Sequence, residues 1–128
     1  MGQPVVHFEV IGKHPESLRA FYGGLFEWEF DTSAQISDAV SEAGNYGFVD
    51  RYTAEDGTGI RGGVGGGRDY STHVIVYVFV PDVEAALVAA ERLGGSRILG
   101  PEKNPAGTLV IGHFTDPEGN MMGVAGPA

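Results

Sequence analysis

At the start of the chain Val6, Phe8 and Val10 alternate with His7 and Glu9. A period of two marks a strand buried on one face, and it places His7 and Glu9 together on the other. The period then changes. Leu18, Phe21, Tyr22, Leu25 and Phe26 recur at helical spacing, and Pro15 stands where the first turn of a helix accepts a residue without an N–H. This predicts a helix over about 15–26, with Tyr22, Phe26 and Trp28 chiefly in the core. Residues 31–44 are small and polar, which predicts a loop around a short strand; 46–52 and 59–65 are two further candidate strands.

The second half repeats this order. Residues 73–80 are rich in β-branched and aromatic types and predict a strong strand, with Val74, Val76 and Val78 packed under helices. Asp82 is placed to cap a helix running to Leu93, whose buried stripe is Val83, Ala86, Leu87 and Ala90. Gly94-Gly95 ends that helix, because glycine adopts the left-handed conformation that closes it. Strands at 96–99 and 109–114, a turn at Asp116-Pro117-Glu118-Gly119 and a last strand at 120–125 follow. An offset of about 68 residues superposes strand and helix of the two halves, laying His7 over Ile75 and Glu16 over Glu84. Neither half is large enough to bury a sheet face alone. The predicted fold class is therefore α+β: one domain over 1–128, made of two tandem βαβββ modules (about 4–66 and 72–126) that form a cupped mixed sheet. The run Gly62-Gly63-Val64-Gly65-Gly66-Gly67 is the expected joint. Two helices are too few to cover a doubly wound parallel sheet of this many strands.

Composition narrows the chemistry. A chain of 128 residues, 42% hydrophobic, suffices for one core. It contains no cysteine, which excludes disulfides, thiolate metal sites and a cysteine nucleophile. No apolar run reaches the roughly 20 residues needed to span a bilayer, and the N-terminus does not read as a signal peptide, so a cytoplasmic location is expected. The net charge of −9 disfavours nucleic acid and anionic membranes as partners; it either favours a neutral or cationic small molecule or serves only to keep the protein soluble.

The alternation lines the cup with His7, Glu9, His73, Ile75, Tyr77, Phe79, Met121 and Gly123, together with His113. His7 and Glu9 lie two residues apart on one face, roughly 6.5–7 Å along the strand, within reach of one ligand. They are candidates for general base and orienting acid. The alternative is a structural hydrogen bond for His7 and a solvated Glu9. His73 and His113 could join them in a displaced metal site, or His113 could serve the neighbouring turn or the pocket wall. Tyr77, Phe79 and Met121 are suited to stacking on a planar ligand. The glycine run lacks the Gly-x-Gly-x-x-Gly pattern and opens no helix, so it does not read as a phosphate loop; its glycines are expected to leave the cup wide.

Four stretches together resemble the vicinal-oxygen-chelate superfamily of glyoxalase I, bleomycin-resistance proteins and extradiol dioxygenases. They are the opening strand with His7; Ser17-Leu18-Arg19-Ala20-Phe21-Tyr22 with Leu25-Phe26-Glu27-Trp28; Val80-Pro81-Asp82-Val83-Glu84-Ala85-Ala86 to Leu93-Gly94-Gly95; and His113-Phe114-Thr115-Asp116-Pro117-Glu118-Gly119-Asn120. The resemblance is to the glyoxalase-like branch and implies a homodimer. In metal-dependent relatives a divalent cation takes ligands from the first and last strand of each half. On this chain those positions carry His7, Ile75, Gly123 and the Gly62–Val64 stretch, so one ligand of four remains. The implied function is a small-molecule-binding protein without the usual metal set, with no cofactor, holding an aromatic or cationic compound for drug or metabolite sequestration. The alternative is a glyoxalase-like lyase, isomerase or dioxygenase working through His7 and Glu9, with or without a divalent metal.

Overall fold

The computed structural model describes residues 2–49, 58–105 and 107–128. It contains β1 (Val5–Gly12), α1 (Pro15–Phe26), β2 (Gly47–Val49), β3 (Arg61–Gly66), β4 (His73–Phe79), α2 (Val83–Arg92), β5 (Ser96–Lys103), β6 (Leu109–Thr115) and β7 (Met121–Pro127). The fold is α+β, with parallel and antiparallel strand pairs combined. Contacts divide it into an N-terminal unit, residues 7–74, and a C-terminal unit that comprises residues up to 6 and from 75 onward. No helix among the described residues is long and apolar enough to cross a membrane.

In the N-terminal unit the strands lie in the order β2-β3-β1. β3 runs parallel to β1, with His7 opposite Arg61 and Glu9 opposite Gly63, and antiparallel to β2, with Phe48 opposite Gly63. Helix α1 covers the face that carries Phe8. The Phe8 ring meets Trp28 at 5.2 Å and lies over Gly62, where a Cβ would sit 1.9 Å from it. The side of α1 that meets the sheet is Pro15, Leu18, Arg19 and Tyr22, not the expected aromatic stripe. Phe21, Leu25 and Phe26 are 60%, 57% and 51% exposed. Gly12 and Gly47 decide this: without Cβ atoms they admit Leu18 and Arg19, which turns the helix. Arg19 also donates to the Asn45 carbonyl.

Two loop expectations change. The short strand sought in 31–44 is a single bridge, Asp31 to Phe48, and β2 covers only Gly47–Val49 of the 46–52 candidate, whose residues 50–52 lie outside the described set. Gly62–Gly66 lies within β3 rather than forming a joint, and Gly62, Gly63 and Gly65 are covered by the Phe8 and Tyr46 rings rather than left open.

In the C-terminal unit the order is β4-β7-β6-β5; β7 is parallel to β4 and antiparallel to β6, which pairs antiparallel with β5. Helix α2 packs Val83 and Leu87 against Val80 and Val124, flanked by Val78, Ala86, Val110 and Phe114. The Asp82 carboxylate accepts from the Ala85 N–H at 3.0 Å, capping the helix as the sequence predicts, and Gly94 follows at φ 105°. Asp116 closes the predicted turn by accepting from the Glu118 and Asn120 amides and the Asn120 side chain. Val78 packs under α2, but Val74 is 65% exposed.

Candidate functional site

Partner residues in a strand pair direct their side chains to the same face, so Arg61, Gly63 and Gly65 of β3 stand beside His7, Glu9 and Ile11 of β1 on the face away from α1. Gly63 and Gly65 leave that face empty, and Tyr46, just before β2, lays its ring into the space: a Cβ on Gly63 would sit 2.1 Å from it. The Tyr46 hydroxyl donates to Glu9 Oε1 at 2.9 Å and lies 2.8 Å from His7 Nε2. That hydroxyl has one proton, given to Glu9, so His7 Nε2 carries the hydrogen and donates to the Tyr46 oxygen. Glu9 is only 2% exposed. Burial, aided by the Arg61 charge, pushes the His7 pKa down to about 4, so the imidazole is neutral at neutral pH. Phe48 completes the wall, its ring 4.8 Å from Tyr46 and 5.9 Å from His7.

The C-terminal unit repeats the device with different parts. Tyr77 lies over its strand partner Gly123, where a Cβ would come within 2.5 Å of the ring, and its hydroxyl is 2.7 Å from His113 Nε2. Both residues are buried. His113 therefore serves Tyr77 and not the following turn, which Asp116 closes by itself. Ile75 is buried, Met121 half-buried, and Phe79 39% exposed. His73, half-buried in the N-terminal unit, donates from Nδ1 to the Ser71 carbonyl at 2.8 Å.

The structure thus joins His7 to Glu9 through Tyr46, and Tyr77 to His113 above Gly123. Sequence reasoning missed Tyr46, Phe48 and Arg61. The usable signal was the alternation Gly63-Val64-Gly65, since two glycines on one face of a buried strand call for a large side chain to cover them.

Comparison with known proteins places the topology. A family model described as glyoxalase-like domain matches residues 8–125. The chain belongs to the glyoxalase-like domain family. Among solved structures, methylmalonyl-CoA epimerase of Streptomyces coelicolor in complex with 2-nitronate-propionyl-CoA matches with a TM-score of 0.69 at 13% identity, covering 98% of this chain and 95% of that one. Methylmalonyl-CoA epimerase from Mycobacterium tuberculosis matches at 0.66 and 12% identity, covering 97% and 87%. A hypothetical protein from Bacillus halodurans matches at 0.67 and 10% identity, covering 100% and 96%. At these identities the likeness is one of fold. No curated protein matches.

The resemblance drawn from the sequence singles out four positions on this chain as counterparts of metal ligands, and the strand pairings locate them. Glu9 opposite Gly63 corresponds to Tyr77 opposite Gly123, which fixes the 68-residue register and identifies Gly63 as the counterpart of Gly123. Of the four positions, one is His7, one is the buried aliphatic Ile75, and two are glycines covered by tyrosine rings. That donor set does not fit a divalent cation, which needs several imidazole or carboxylate ligands. Nor do His73 and His113 rebuild one with His7 and Glu9: among the described residues no group of three or more His, Cys, Asp or Glu is placed to hold a metal.

Proposed function

We propose that this glyoxalase-like protein binds an organic small molecule without a divalent metal, on the face of the N-terminal unit formed by His7, Glu9, Tyr46 and Phe48. The observation that carries this reading is the pair of tyrosine rings over Gly63 and Gly123, the positions at which the resemblance implies carboxylate ligands. In place of a cation, the site offers an aromatic wall and a hydrogen-bonded chain with a carboxylate at its buried end. The epimerase structure with bound 2-nitronate-propionyl-CoA supports the reading, since the same fold there holds an organic ligand.

Binding is favoured over proton transfer by His7. A base whose pKa sits near 4 is a weak proton acceptor at neutral pH, where catalysis favours a value near the operating pH. Calorimetry on EDTA-treated protein with a panel of aromatic compounds tests the reading. Saturable binding that is unchanged by added Mg²⁺, Mn²⁺, Ni²⁺ or Zn²⁺, and weakened about tenfold, or 1.4 kcal/mol, by Tyr46→Ala, is expected. Binding that appears only with metal, or no binding across the panel, would overturn it.

A further inference from the structure

We propose that Arg61 selects the ligand by pairing with a carboxylate on it, so that the site takes a compound joining a carboxylate to an aromatic or similarly flat apolar body. This rests on the metal-independent binding reading and names the class of ligand.

Arg61 is the strand partner of His7 and lies on the same face as Tyr46, Phe48 and Glu9. It is exposed, and among the described residues it forms no ion pair; the pairs there are those of Arg97 with Glu84 and Glu91. The face therefore grades from a solvent-facing guanidinium, through a neutral imidazole and two aromatic rings, to a carboxylate sealed inside. Glu9 is not paired with Arg61 among the described ion pairs: it is 2% exposed, with its Oε1 accepting from Tyr46, while Arg61 is exposed. A guanidinium presents a planar fork that matches a carboxylate with two parallel hydrogen bonds, which a lysine does not. The ring of such a ligand would lie against Phe48 and His7. The chain's net charge of −9 does not forbid an anionic ligand, since charges beyond about 8–10 Å are screened at physiological ionic strength and Arg61 itself is exposed on this face.

Three probes of nearly equal size separate the outcomes: benzoate, benzylammonium and benzyl alcohol, titrated into metal-free protein while amide shifts of His7, Phe48 and Arg61 are followed by NMR. Benzoate is expected to bind at least tenfold more tightly than benzyl alcohol. Arg61→Gln should remove that advantage and leave the alcohol unaffected, and Arg61→Lys should restore part of it. The amide spectrum of each variant verifies its fold. If benzylammonium binds more tightly than benzoate, or Arg61→Gln leaves benzoate affinity unchanged, the role of Arg61 is overturned while the binding reading stands. If none of the three shifts these amides, both fall.

Discussion

The two units solve one packing problem in two ways. Each has a glycine in its last strand, a tyrosine ring laid into the space that glycine leaves, and a histidine Nε2 at the tyrosine hydroxyl. In the C-terminal unit the tyrosine is the glycine's own strand partner, Tyr77 opposite Gly123, and the chain of contacts ends at His113. In the N-terminal unit that strand position is Glu9, and the ring is brought in from outside the strand by Tyr46. Filling space does not require a buried carboxylate; burying one costs several kcal/mol before its hydrogen bonds offset it. The unit that carries this extra cost is the one with an exposed arginine on the same face, and it is there that we propose the ligand binds.

The largest expected effect that sharpens the contrast is on pH. His7 titrates near 6.5 when unfolded and near 4 in the folded unit. Its pKa is depressed by folding, so its contribution is complete above about 6.5 and is lost as the pH falls through 6.5 toward 4. By pH 4 the loss reaches about 3 kcal/mol. Urea unfolding at pH 7 and pH 4.5 should show this fall, and His7→Gln should flatten it; an unchanged slope in the variant would remove His7 from the account.

Next come the glycines. Gly63→Ala drives a Cβ to 2.1 Å from the Tyr46 ring and Gly123→Ala to 2.5 Å from Tyr77. Both should destabilise, by about 1–3 kcal/mol, with Gly63→Ala the worse, read as a lowered thermal midpoint. The hydroxyls are a finer probe. Tyr46→Phe removes a donor from buried Glu9 and an acceptor from His7 and should cost about 2 kcal/mol, against about 1 for Tyr77→Phe, whose hydroxyl meets His113. Equal costs would break the distinction between the units. The smallest effect is expected at the 60%-exposed ring of α1: Phe21→Ser should change stability by less than about 0.5 kcal/mol.

Much of this was legible in the sequence. Alternation over residues 5–10 put His7 and Glu9 on one face, the Asp82 cap and Gly94 bounded α2, and the 68-residue offset agrees with the observed strand pairs. What stayed hidden has physical causes. Tyr46 sits in a stretch with no period, and its importance arises from an absence, the missing Cβ atoms of β3. The facing of α1 was misread because apolar spacing alone does not tell which stripe meets the sheet when the sheet is built from glycines. Arg61 precedes a glycine run whose strand register only the pairing with β1 reveals.

The rings over Gly63 and Gly123 also make these two positions hard to change by single substitutions. Gly-to-Glu is a short mutational step, yet here the incoming side chain would enter occupied space. Removing the ring first leaves a cavity and deprives a buried histidine or glutamate of its partner. Either order of events passes through a less stable protein. Such sign epistasis isolates the two positions: a glutamate at Gly63 or Gly123 is not one step away in stability terms.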